Sequence, residues 1–234
     1  MLPAKNNNFA DINGERTKIF QRSPQEKFRR GNELHKKMGE ASAFIRRSIE
    51  AAEKEQQRPL TGNEKREVEN KAALDYAQQN NIWVEDLYSL GNPLTGGGNE
   101  HTLAYDVETG TVYKANNLFN AGYSVMQFLE QLKNHNEVFP ENKYDLIGFT
   151  GLKNEGTKRA PHIEPIIKQK YIPDVVQTTI AEIDSFMKDL GFEKAKDFTY
   201  TNGKYTVADM RPRNVLKDGE GNVHVIDDIV TRNQ

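Results

Sequence analysis

The 234-residue sequence predicts an α+β fold. Three observations carry that prediction. Apolar residues recur at three- and four-residue steps through the first third, which is the period of helices. After residue 81 they give way to short runs broken by Gly, Asn and Asp turns, which read as strands. The later strands and helices do not alternate as a doubly wound parallel sheet requires. The length suits one large domain, or one domain with an appendage.

Residues 1–22 read as a loose leader with few apolar anchors. Ser23-Pro24-Gln25-Glu26 has the residue types of a capping box, with Pro in the first turn. Phe28, Leu34, Met38, Ala41, Ile45, Ile49 and Ala52 then form one apolar stripe, and Arg58-Pro59 stops that helix. Thr61-Gly62-Asn63-Glu64 is a second capping-box pattern. Val68, Ala72, Ala73 and Tyr76 carry a second helix to about Asn80. Ile82 to Leu90 reads as extended, and the cluster Gly96-Gly97-Gly98 follows. A strand is predicted from His101 to Val107, a turn at Glu108-Thr109-Gly110, and a return strand from Thr111 to Ala115.

Val125, Phe128, Leu129 and Leu132 share one face of a helix around Ser124 to Asn134, with His135 and Asn136 read as its cap. Strands are expected at Tyr144–Phe149 and Ile163–Ile172, then a helix from about Val175 to Leu190 with Gly191 as its stop. The tail reads as short strands: Phe198–Tyr200, Lys204–Val207, Val215–Lys217 and Val223–Ile226.

Composition excludes several classes. There is no Cys, hence no disulfide, no Cys-ligated zinc and no thiol chemistry. No apolar run approaches the ~18 residues of a membrane span, and the N-terminus lacks a signal peptide's apolar core. A cytoplasmic protein is the default expectation. Net charge is −2, with residues 1–80 holding 16 Lys+Arg against 12 Asp+Glu. Acidic residues are interleaved throughout that basic third, so it reads as a solvated helical surface and argues against nucleic acid as a partner. The five His form no HExxH pattern.

The strongest chemical signal is Asp209-Met210-Arg211-Pro212-Arg213-Asn214-Val215-Leu216, followed one hairpin later by Val225-Ile226-Asp227. Asn and Asp are oxygen ligands, and Mg²⁺ is held by one or two carboxylates together with substrate phosphates. An Asp beside such a site can accept a hydroxyl proton. Upstream, Gly96-Gly97-Gly98-Asn99-Glu100-His101 fits G-x-G-x-x-G except for its last position. Such glycines let backbone amides approach phosphate. The next hairpin carries Thr111-Val112-Tyr113-Lys114.

These elements, in this order over residues 86–232, resemble protein kinases, with H-R-D-x-K-P-x-N, D-F-G, the Gly-rich loop and V-A-I-K as the counterparts. The phrases Arg-Pro-Arg-Asn-Val-Leu and Val-Ile-Asp-Asp are most similar to the compact kinase domain of polyvalent proteins of phages and conjugative elements. The resemblance implies a minimal kinase-like fold with residues 1–80 as a helical extension. Residues 81–173 would be a nucleotide-binding lobe, and 174–234 a short second lobe. It implies ATP and Mg²⁺ as cofactors, Asp209 as the catalytic carboxylate, Arg211 as a phosphate contact, and Asn214 and Asp227 as metal ligands. Gly96, Gly97, Gly98 and Lys114 would bind nucleotide. Glu130, with Glu137 as its rival, would hold Lys114.

This chain departs from the kinase pattern. Val207-Ala208-Asp209 replaces His-Arg-Asp, Asp227-Asp228-Ile229 replaces Asp-Phe-Gly, and only seven residues follow Asp227. That leaves the acceptor, protein or small molecule, open. It also leaves open transfer of AMP instead of phosphate, a pseudokinase, and a purely structural α+β protein. The first two helices are expected to pack on the body, partly on its C-terminal half.

Overall fold

In the computed structural model, residues 24–96, 100–151 and 163–233 are described, with side chains from residue 37 on. Ser23, and with it the first capping box, lies outside them, as do the side chains of Phe28 and Leu34. Two helices come first, α1 (Pro24–Gln56) and α2 (Gly62–Gln79). α2 starts where the sequence places it: Thr61 Oγ1 accepts from Glu64 N, and Thr61 N donates to Glu64 Oε2 at 2.8 Å. The predicted extended stretch is mostly not strand. Trp83 makes an isolated parallel bridge to Phe149, and Leu87–Leu90 is a 3-10 turn capped by Asp86.

A five-stranded antiparallel sheet follows. It contains β1 (Asn92–Leu94), β2 (His101–Asp106), β3 (Thr111–Asn116), β4 (Asp145–Thr150) and β5 (Glu164–Lys170), in the order β1-β2-β3-β5-β4. Helix α3 (Val125–Val138) links β3 to β4 and runs four residues past the predicted end. Ile82 O lies so close to β4 that a Cβ on Gly148 would stand 2.0 Å from it, so only glycine fits there.

The remainder is built from β6 (Val176–Gln177), α4 (Ile180–Asp189), β7 (Glu193–Lys196), β8 (Thr199–Thr201), β9 (Tyr205–Ala208), β10 (Val215–Lys217), β11 (Val223–Val225) and β12 (Ile229–Arg232). They form two antiparallel sheets, β11-β10-β6 and β12-β9-β8-β7. α4 starts five residues later than predicted, for two reasons. Val176 and Gln177 pair with Lys217 and Leu216, and Thr179 with Glu182 makes a capping box that the sequence reading overlooked.

Two main cores result. The first lies between the five-stranded sheet and α1–α3, with Ile45, Ala73, Leu129, Leu146 and Phe149 buried together. The second joins Ile183, Met187, Tyr200, Met210, Val215 and Val230 of the C-terminal half. α1 and α2 pack on each other, on α3 and on β4. The expectation has them packing on the body, at least partly on its C-terminal half; their buried side chains join α3 and the sheet, and Arg46, Glu50 and Lys65 share a groove with Val230, Arg232 and Asn233. The apolar face of α3 and the sheet is what needs cover, and their buried side chains Met38, Ile45, Ile49, Ala73 and Tyr76 supply it.

Candidate active site

A cleft of about 630 Å³ opens between the five-stranded sheet and the C-terminal half. Leu94, Leu103 and Val112 line it from the sheet side, and Leu216 and Ile226 from the other. Tyr171 and Ile172, just past β5, also line it, and Tyr171 N donates to Gly110 O at 2.8 Å. Lys114, Asp209, Asn214 and Asp227 all line this same cleft.

Lys114 sits on β3, and alternation turns its side chain inward, leaving it 9% exposed. Nζ donates to Ile226 O at 2.7 Å and lies 3.4 Å from the Tyr144 hydroxyl. It also stands 5.0 Å above the Tyr144 ring centre. Tyr144 OH donates to the same carbonyl. Burial lowers the Lys114 pKa, and the charges of Asp227 and Asp228 oppose that. Burial likewise raises Asp227, helped by Asp228 and Asp209 and opposed by Lys114.

Asp209 follows β9 with φ +59°, a left-handed conformation that Asp tolerates better than most residues. Its Oδ2 accepts from Asn214 Nδ2 at 2.7 Å, and its Oδ1 accepts from Arg211 Nε at 2.7 Å. Asn214 is buried and commits its amide nitrogen to Asp209, so its amide oxygen is the atom left to a cation. Among the described residues no group of three or more His, Asp or Glu could hold a metal alone. The donor set of Asp227 with Asn214 therefore fits a hard cation whose remaining ligands are phosphate and water oxygens.

Arg211 does not enter the cleft. It lies 4.8 Å over the Phe198 ring and pairs with Asp209, while Arg213 lines the cleft in the field of Asp227. Glu130 is a correction. It is exposed and lines a groove with Arg46, and Lys114 is held by Ile226 O and Tyr144 instead. The reason is helical geometry: α3 turns Phe128, Gln131 and Leu132 toward Asp227, and Glu130 is rotated ~100° from Gln131. The rival, Glu137, accepts from Tyr205 OH. Gly96 lines the cleft with φ +114°, whereas Gly97 and Gly98 lie outside the described residues.

Five further positions at or behind the cleft carry no motif in the sequence. Glu100 lines the cleft, and its carboxyl is raised first by burial, then by Asp227 and Asp209. Tyr144 has only a strand residue's pattern in the sequence. The run Asn134-His135-Asn136 has the residue types of a helix end. Instead Asn134 donates to Val230 O, Asn136 brackets the Tyr144 backbone, and His135 meets Asp228. A polar triplet in a helix otherwise patterned with Leu and Phe was the available signal.

A β-rich lobe bearing one helix, an inward lysine, and an Asp–Asn loop with a second Asp across one cleft define a kinase-like fold. The sequence model of the family described as "Serine/Threonine/Tyrosine Kinase found in polyvalent proteins" matches residues 66–234, and the chain belongs to that family. The match takes in most of α2. Neither curated proteins nor solved structures gave a match. Among the described residues no helix is long and apolar enough to cross a membrane.

Proposed function

We propose that this protein is an ATP- and Mg²⁺-dependent phosphotransferase acting in the cytoplasm, on a protein or small-molecule hydroxyl. One observation carries the reading: Lys114, Asp209, Asn214 and Asp227 line a single cleft whose two sides offer apolar surface to a purine ring. Bound Mg·ATP supplies the transferable phosphoryl group. Lys114 neutralises phosphate charge, and Asp227 with Asn214 Oδ1 would hold the cation. Asp209 orients the acceptor hydroxyl and takes its proton as the oxygen–phosphorus bond forms and the bond to ADP breaks. Arg211 steadies Asp209 from outside, and Arg213 is the arginine of this loop that faces phosphate.

A second reading, a nucleotide-binding module without transfer, draws on a different observation. Among the described residues no helix carboxylate meets Lys114, and Arg211 already pairs with Asp209. Both readings predict that Mg·ATP at 100 times its Kd raises stability by about 2.7 kcal/mol. Asp227→Asn should lose that stabilisation. Asp209→Asn should keep it and lose turnover. Absence of any nucleotide shift refutes both readings, and binding without phosphate release selects the module.

A further inference from the structure

We propose that the buried pair His135–Asp228 is a positioning device that fixes the carboxylate of Asp227, and so sets the cation affinity of the cleft. This rests on the nucleotide reading above. Asp227 and Asp228 diverge. Asp227 lines the cleft, and Asp228 turns back under α3 with its side chain 1% exposed. Asp228 Oδ1 lies 2.6 Å from His135 Nδ1, and His135 Nε2 lies 3.0 Å from Asn142 O. Both ring nitrogens face oxygens, Asp228 Oδ1 on one side and Asn142 O on the other, so the ring is held at both ends.

Stability alone does not account for this pair. Burying two ionisable side chains is expensive, and apolar side chains of similar volume often serve as well or better. Asp228 Oδ2 is moreover buried without a hydrogen-bond partner among the described residues, which adds to the cost. What the pair does achieve is positional. The residues flanking Asp227 are tied down: Val225 N to Asn142 Oδ1, Ile226 N to Asn214 O, and Ile226 O to Lys114 and Tyr144. The Asp227 carboxylate has no hydrogen bond of its own among the described residues. Its direction is set from both sides, by Ile226 before it and by the His135–Asp228 bond after it. His135 lies on α3 and Asp228 is 93 residues away, so the pair carries the placement of α3 into the loop.

The test uses the full chain, Mn²⁺ as the probe and a nonhydrolysable ATP analogue, with binding read by EPR and stability by melting. His135→Leu alone leaves the buried Asp228 carboxyl without its hydrogen bond and should melt early. The double variant His135→Leu/Asp228→Leu should recover the melting temperature yet lose about tenfold or more in Mn²⁺ affinity, the range seen when groups behind a metal ligand are removed. Analogue affinity without metal should not move. Asp228→Asn keeps the Nδ1–H···Oδ1 bond and should bind Mn²⁺ like the parent. Parent-like Mn²⁺ affinity in the double variant overturns the proposal, and so does a tenfold loss in Asp228→Asn. If the parent binds neither analogue nor Mn²⁺, the nucleotide reading falls and takes this inference with it.

Discussion

Glu69 gives the sharpest test of whether the N-terminal helices belong to the body. It sits on α2, is 1% exposed, and accepts from Ser124 Oγ at 2.8 Å and Met126 N at 3.3 Å. Ser124 is the N-cap of α3, with its own oxygen accepting from Gln127 N. The carboxylate therefore stands at the positive end of α3, where a partly buried anion contributes up to ~2 kcal/mol. Glu69→Ala also leaves a hydroxyl and an amide without their acceptor, at ~1–3 kcal/mol each, offset by no longer burying a charge. A net loss of about 3 kcal/mol follows, which for a chain of this size lowers the melting temperature by roughly 6–12 °C. Glu69→Gln keeps an acceptor oxygen and should lose only about a third as much. Calorimetry or circular-dichroism melting of the full chain reads both. If Glu69→Ala melts within 2 °C of the parent (about the shift for 1 kcal/mol or less), α2 is not clamping α3 and the helices are an appendage.

Two further predictions follow from the geometry. Gly148→Ala would set a methyl 2.0 Å from Ile82 O, so it should destabilise by more than about 3 kcal/mol or yield no soluble protein, and a normal melt would disprove that packing. His101 Nε2 faces the Asn116 amide nitrogen at 2.9 Å, which favours the neutral ring, and burial with Lys114 lowers its pKa from 6.5 to about 3. The unfolded chain therefore binds the extra proton first. Stability should be intact above pH 6.5 and fall below it by up to ~1.4 kcal/mol per pH unit, until the ring protonates in the folded state. Urea melts of His101→Gln should lack that slope, and an unchanged slope assigns it elsewhere.

The sequence revealed the parts whose chemistry is local. Thr61-Gly62-Asn63-Glu64 declared a helix start because the capping box closes within four residues. Asp209 to Asn214 declared a loop because its hydrogen bonds stay inside it. It hid what depends on distant pairing. Ile229–Arg232 carries no turn signal and becomes a strand only because β9 lies beside it, and Val176-Gln177 leaves the helical pattern only because β10 does. Glu130 misled for the same reason. Periodicity says which side of α3 is buried, but not which buried side meets Asp227. Tyr144, His135 and Asp228 act across 82 to 112 residues of chain together with Lys114 and Ile226, and no spacing rule spans that distance.

Ile226 divides its duties between backbone and side chain. Its carbonyl anchors Lys114 and Tyr144, and its side chain forms part of the cleft wall. A carbonyl survives every substitution, so a mutational scan of position 226 will never expose that anchor. Substitution at 226 can instead reshape the cleft wall while the lysine stays moored. Under the proposed nucleotide reading, a library randomised at 226 is the natural place to look for altered nucleotide selectivity.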